Sequence, residues 1–449
     1  VYYSQGIIQH NGILAAAHGA VGLAAAGAPG DGRHLLDNIS GLDALLHSLL
    51  AAHSQEGNLL PLNRSQHSYH FGILVPQEVA HAAQAGRIRV GHRGGEYLQP
   101  AHIVGGKQET LGVQYANKVQ PTVDINGETY KVELVTADNE SDNSKGITAA
   151  QNLVSSGVSI VLGSYGSAVS IAAGDVFKEA GMPALGITCT NPLVTKGNPV
   201  YFRTCFLDPF QGTVLANFAY ENGARKAYCL SKLGDDYSVG LVKYFVEAFE
   251  KLGGKVVEEQ FPKGNSDFTS YVANAKAKDC DVFYSPVSIE AAALIIDQAE
   301  AQKLDMPILA GDTWDSNVVL EAAKGKNIEL NVTTFYQEGG NPEFDNGIKE
   351  WINSNSTAKA NNNGNDQIAA VSAMGYDAYF VALEAIKAAG STDPADVLAA
   401  LPNVVYENGV CGTVKFNENG DAEKNEAVVK HCNTETGEWE YVKTQSIEG

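Results

Sequence analysis

The sequence predicts an α/β protein of two lobes, each a doubly wound parallel sheet, joined by hinge crossovers and preceded by an atypical N-terminal extension. Three observations predict it. From about Tyr130, apolar strand-like runs alternate with helix-period segments through short connections, the pattern of parallel sheets with helices on both faces. The alternation yields more strands than one compact sheet holds, so the 449-residue chain divides. The composition also breaks near residue 106: ahead of it stand ten of the eleven histidines and no lysine, methionine or cysteine.

Taken in order, Tyr130 to Ala137 alternates as a strand, and Lys145 to Ser156 sets Ile147, Ala150, Leu153 and Val154 on one helical face. Ser159 to Leu162 reads as a buried strand, Val169 to Ala180 as a helix and Pro183 to Ile187 as the next strand. Helices at Gln211 to Glu221, Ser238 to Leu252, Phe268 to Ala277 and Glu290 to Gln302 alternate with strands at Lys226 to Ser231, Lys255 to Gln260, Asp281 to Pro286 and Pro307 to Ala310. Asp208-Pro209 and Leu330 to Thr334 mark passages between the lobes, and Asp366 to Ala389 supplies a long helix. Gly412 to Phe416, a turn at Asn417 to Asp421, Ala427 to Lys430 and Trp439 to Lys443 read as antiparallel strands closing an edge. Upstream, Leu42 to Ala52 has the spacing of an amphipathic helix and Phe71 to Pro76 and Arg87 to Gly91 that of strands. They sit in a Gly-, His-, Gln- and Ala-rich segment without sustained periodicity, where poor order is expected.

Composition narrows the function. The formal charge is −21, with a net of only −1 in the first 106 residues, which argues against nucleic acid or an anionic membrane as partner. No run of eighteen apolar residues offers a membrane span. Ile13 to Ala28 resembles a secretion h-region, but Gln9 and His10 stand where lysine or arginine belongs. Six widely spaced cysteines lack any C-x-x-C; their even number permits disulfides, Cys411 with Cys432 being the pair considered. After residue 106 the only histidine is His431, so histidine-based catalysis lacks material, and the H-x-x-H spacing of His67 and His70 reads as coincidence. Asn417, Asn419 and Asp421 lack the bidentate glutamate of a calcium loop and read as a β-turn. No catalytic residue, metal or cofactor is expected.

Two polar loops carry the chemistry. Gly163-Ser164-Tyr165-Gly166-Ser167 and Gly186-Ile187-Thr188-Cys189-Thr190-Asn191-Pro192 each follow an apolar run one βα unit apart. Neighbouring strand ends of a parallel sheet open on one crevice, so hydroxyls and free N–H groups from both loops converge on one anionic group. Neither loop matches a phosphate-binding or dinucleotide fingerprint; the plainer alternative is a pair of tight βα turns. Asp312, after another apolar run, would hold an ammonium, or else cap the segment starting near Asn317. Tyr237 reads as a cleft wall from the opposite lobe, or as an ordinary exposed loop tyrosine.

From Gly105 onward the chain resembles the solute-binding proteins of ABC importers, of the leucine/isoleucine/valine-binding type with the type I periplasmic-binding fold. The resemblance covers about three quarters of the sequence. It runs through Gly105 to Gly112, Tyr130 to Asp138, both loops, Phe202-Arg203-Thr204, Asp208, Gln211-Gly212, Gly234 to Gly240 and Phe416 to Asp421. It implies that Ser167 and Thr190 bind a ligand α-carboxylate, Thr190 also serving the ammonium. It implies further that Thr188 offers its carbonyl and Asp312 its carboxylate to the ammonium, that Tyr165 lines the side-chain pocket, and that Tyr237 caps the ligand on closure. Leu111 stands where an aromatic pocket residue often sits, Gly166 where some members have a cysteine, and Ser288 where a tyrosine is expected.

The resemblance also sets the organisation. Residues 1–86 form the atypical segment, poorly ordered or out of frame; residues 87–207 with 333–410 form lobe 1, and 208–332 with 411–449 form lobe 2. Arg87 to Gly91 becomes the first strand, and much else before Gly105 a foreign or out-of-frame translation. The implied protein is an extracytoplasmic monomer at the periplasmic or outer face of the cell membrane. It would be secreted or lipid-anchored, close over an amino acid and deliver it to permease subunits without catalysis. The alternative is a ligand-sensing domain of a receptor or regulator on the same fold; it would need a basic helix-turn-helix ahead of the core or a membrane span behind it.

Overall fold

The computed structural model describes residues 87–92 and 104–447. The helix expected at Leu42 to Ala52, the strand at Phe71 to Pro76 and the reading of residues 1–86 lie outside the described residues.

Two sheets organise the chain. The first has the order β2 (Thr122–Ile125), β3 (Glu128–Thr136), β1 (Arg87–His92), β4 (Ile160–Leu162), β5 (Ala184–Gly186), β6 (Tyr201–Arg203). All neighbours are parallel except the β2–β3 hairpin. Strand β1 stands near the middle, Val90 registering with Leu134 on one side and Ile160 on the other, so Arg87 to Gly91 is the first strand as expected. The helices α1 (Val104–Val119), α2 (Asn143–Ser155) and α3 (Ser167–Ala180) connect these strands. The order reverses between β1 and β4, the place where open α/β sheets leave a crevice at their strand ends.

The second sheet comprises β7 (Lys226–Lys232), β8 (Lys255–Phe261), β9 (Val282–Tyr284), β10 (Ile308–Ala310), β11 (Leu330–Thr334), β14 (Glu426–Asn433) and β15 (Glu438–Ser446), in the order β15-β14-β11-β10-β9-β7-β8. The last two strands are antiparallel, as the tail pattern predicts. Around this sheet lie α4 (Asp208–Glu221), α5 (Asp236–Lys251), α6 (Thr269–Ala277), α7 (Ile289–Ala301) and α8 (Asn317–Ala323). On α5, Leu241, Val242, Phe245 and Phe249 are buried at helical spacing, and the Asp235 side chain caps the first turn by accepting from Ser238 N–H. Each lobe buries apolar side chains on both faces of its sheet.

The remaining helices, α9 (Pro342–Ser354), α10 (Ser356–Asn361), α11 (Ala370–Ala389) and α12 (Pro394–Ala400), lie in sequence between β11 and β14. Of these only α11 is anticipated, and it starts at Ala370 rather than Asp366 because Asn362, Asn365 and Gln367 form an amide-bonded loop ahead of it. Helices α1 and α11 pack backbone to backbone: a Cβ on Gly112 would stand 1.9 Å from Ser372 O and one on Gly375 2.3 Å from Glu109 O.

Three segments cross between the lobes: after β6 at residues 204–207, after β11 at Phe335, and after Ala422. Phe206 and Phe335 bring the first two together, with ring centroids 4.4 Å apart. Leu330 to Thr334 is a strand of the second sheet, and the crossing follows it. The short ladder of β12 (Val405–Tyr406) and β13 (Val414–Lys415) and the Phe416 and Ala422 side chains belong to the first lobe's core, so residues 411–422 stay with lobe 1 and the change to lobe 2 falls near Glu426. All six cysteines are free thiols, and Cys411 and Cys432 pack in the cores of different lobes.

Candidate functional site: the cleft between the lobes

Both polar loops stand at the strand ends of the first lobe. Ser167 opens α3, and its hydroxyl accepts the Asn191 N–H of the second loop at 3.2 Å, tying the two together. Behind the second loop lies Arg203. It is fully buried, pairs with Asp421 at 2.6 Å and donates to the carbonyls of Cys189 and Asn191 and to Thr195 Oγ1. One guanidinium thus shapes the loop from within, its donors shared among loop carbonyls, the Thr195 hydroxyl and the Asp421 carboxylate. Asn417 to Asp421 is a turn, as expected, and its function is to deliver Asp421 to this pair.

Thr188 and Thr190 are buried. The Thr188 hydroxyl donates to Glu109 of α1, whose other oxygen has no partner. Burial pushes the Glu109 carboxyl up to about 8, the Thr188 bond opposing that rise. The Thr190 hydroxyl faces Asp208 at the start of α4 without closing a hydrogen bond of good geometry, and both Asp208 oxygens are likewise without partners. Burial raises Asp208 to about 8.

The second lobe contributes a more finished group. Asp312 begins a short 3-10 turn after β10 and accepts from Gln211 Nε2 at 2.8 Å and Tyr237 Oη at 2.9 Å, both on Oδ1. Burial pushes Asp312 up to about 6, and these two donors hold it back from going further. Tyr237 is a buried residue of α5, and it approaches because Gly311 has no side chain: a Cβ there would lie 2.5 Å from its hydroxyl. Ser316, not Asp312, caps the helix at Asn317.

Tyr165 closes the geometry. Its ring lies against Gly105, where a Cβ would meet it at 2.4 Å, and its hydroxyl is pushed well up by burial and by the carboxyls of Asp312, Glu109 and Asp315. The carboxyls that act on Tyr165 of lobe 1 thus include Asp312 of lobe 2. On the rim, Asn191 Nδ2 donates to Asp236 O across the lobes at 2.7 Å. Of the six expected site residues, Ser167, Thr188 and Thr190 are buried in the paired loops of lobe 1, Tyr165 packs on Gly105, and Tyr237 and Asp312 are bonded to each other in lobe 2.

Two of the noted departures resolve differently. Leu111 is not a pocket residue; it packs in the core with Tyr115, Tyr336, Phe344 and Ile348. The Ser288 hydroxyl donates to Glu290 at 2.6 Å. Sequence reasoning left out Glu109 and Gln211 as site residues, although both stand in segments singled out for resemblance; nothing local marks which of their neighbours turns inward.

Among the described residues no cluster of His, Cys, Asp and Glu could hold a metal ion, and no helix is long and apolar enough to cross a membrane. The fold and its cleft define a two-lobed binding protein with the type I periplasmic-binding architecture. The chain belongs to the periplasmic binding protein family, whose model matches residues 107–433. A Leu/Ile/Val-binding protein homolog of Brucella abortus is 30% identical over 71% of this chain and 84% of its own length. The leucine-binding protein LivK of Thermotoga maritima is 32% identical, with a TM-score of 0.69 over 81% of this chain and 99% of that one. LivJ of Streptococcus pneumoniae, solved with isoleucine, shares the fold at 24% identity, with a TM-score of 0.67 over 80% of this chain and 99% of that one.

Proposed function

We propose that this protein is the extracytoplasmic solute-binding component of an ABC importer. It takes an amino acid, branched-chain or related, between its lobes and hands it to membrane permease subunits. Asp312 carries the reading: a buried carboxyl whose Oδ1 is already held by Gln211 and Tyr237, leaving Oδ2 outside both bonds for a ligand ammonium. In this reading the carboxylate is taken by neutral donors of lobe 1, the Ser167 hydroxyl at the N-terminus of α3 and the unpartnered Thr190 hydroxyl. In this reading the Thr188 carbonyl takes a second ammonium hydrogen, Tyr165 lines the side-chain pocket and Tyr237 caps the ligand. The protein works as a monomer without catalysing a reaction, held at the outer face of the membrane by secretion or a lipid anchor. The relatives named for leucine, isoleucine and valine support the ligand class.

Thermal melting of the full chain against the L-amino acids tests it, because a ligand that binds only the folded state raises the midpoint by mass action. A saturating upward shift with leucine, isoleucine or valine is expected. No shift with any amino acid would overturn the proposal.

A further inference from the structure

Apart from the ligand cradle, a group of amide side chains joins the lobes. Gln108, on α1 of lobe 1, donates through Nε2 to Asn317 Oδ1 at 2.7 Å and to Asn362 Oδ1 at 3.0 Å. Asn317 opens α8 in lobe 2 and donates through Nδ2 to Asn362 O at 2.8 Å and Asn365 Oδ1 at 2.9 Å. Asn362 in turn donates to the carbonyls of Asn365 and Gln367, which fixes the lobe 1 side of the contact. Each of the three amide nitrogens uses both of its hydrogens. Gln108, Asn317 and Asn362 are 1%, 3% and 0% exposed, so these bonds lie out of water.

The arrangement is independent of the cradle. None of the four amides belongs to the six expected ligand contacts or to the crossing segments, and all are neutral. Three of the bonds link Asn317 of lobe 2 to lobe 1, and all three must break when the lobes part. Contacts made in the closed state alone bias the opening equilibrium by their own free energy, whatever ligand is inside.

We propose that Gln108, Asn317 and Asn362 form an interlobe latch: positioning residues that hold the cleft shut and so set how long a bound ligand stays. The latch rests on the cleft being the binding site. It acts on dissociation, since the ligand enters the open form, in which these bonds do not exist. With three hydrogen bonds each of modest net worth, breaking the latch should speed release roughly tenfold while leaving association within about twofold. The factor should be the same for L-leucine and L-isoleucine, because none of the three latch residues is among the expected ligand contacts.

Stopped-flow kinetics of the full chain with those two amino acids test this in Asn317→Ala, in Gln108→Ala from the opposite lobe, and in the double variant. The expected result is faster release by one common factor in each single variant and no further gain in the double, the signature of one shared interaction. Unchanged dissociation in both single variants, or factors that differ between the ligands, would overturn it. Gln108→Ala carries the test if Asn317→Ala does not fold. Small-angle scattering without ligand supplies a readout that needs no binding: a radius of gyration in the variants equal to or larger than wild type is expected, and a smaller one overturns the latch. A wild-type chain that binds neither amino acid would defeat the functional reading and leave the scattering test standing.

Discussion

Each lobe buries an acid at the cleft, and the two are held differently. Asp312 in lobe 2 accepts two side-chain hydrogen bonds and is pushed up to about 6; Glu109 in lobe 1 accepts one and is pushed up to about 8. Asp208, beside the first crossing, has no well-formed bond on either oxygen and also reaches about 8. Burial drives all three upward, and the two donors on Asp312 hold it below the others. At neutral pH only Asp312 is mostly ionised. Lobe 2 thus holds a charge ready for an ammonium, while lobe 1 offers neutral groups, the arrangement a zwitterion needs on its two sides.

The sharpest way to break this contrast is Asp312→Asn, which keeps the size and removes the charge. Leucine affinity by titration calorimetry should fall about a hundredfold or more, since a charge-assisted bond is lost in a buried site. A loss under threefold would move the ammonium site elsewhere. Tyr237→Phe removes one donor and lets burial raise Asp312 further, so affinity at pH 7 should drop about tenfold. Part of that loss should return at pH 8.5, when the acid ionises again; a pH-independent loss would reduce Tyr237 to a wall.

The wild-type protein should show the same dependence at smaller scale. Ligand affinity should decline as pH falls through about 6, where Asp312 takes up its proton, and be flat between 7 and 8. The smallest effect on binding is expected from Glu109→Gln, within about threefold, and its effect should appear instead in ligand-free stability. Between its ordinary 4.5 and about 8, Glu109 holds a proton in the folded chain and not in the unfolded one, so stability falls as pH rises through that window. Glutamine removes the fall. The variant's melting point should match wild type near pH 4.5 and exceed it at pH 8, by an amount equivalent to roughly 1–3 kcal/mol. A difference independent of pH would mean that Glu109 is not the titrating group.

Much of this was legible in the chain. The alternation from Tyr130 locates β3 to β5, β7 to β10 and the helices between them to within a few residues, because strand and helix periods are local properties of sequence; the short strand β6 went unassigned. The two polar loops are legible too, since short hydroxyl residues directly after apolar strands have few other uses. Helices α9 and α12 went unassigned although Asn341-Pro342 and Asp393-Pro394 are both N-cap and first-turn signals, and both caps form. Helix α1 is a different case. Val104–Val119 contains Gly105, Gly106 and Gly112 and is a poor helix by propensity. It forms because those glycines admit the Tyr165 ring and the Ser372 backbone, contacts whose partners lie tens to hundreds of residues away.

The sequence alone determined the class of fold, most of its strands and helices, and the loops that carry polar groups at strand ends, because these follow from hydrophobic period and turn chemistry within a short window. Tertiary structure decided the rest. It placed Arg203 under a loop rather than on a surface, turned Glu109 inward and Leu111 into the core, kept residues 411–422 with lobe 1, and joined Gln108 to Asn317 across the cleft. Each of these depends on which distant segment covers a side chain. Burial and partner choice set charge state, and neither exists until the lobes are built.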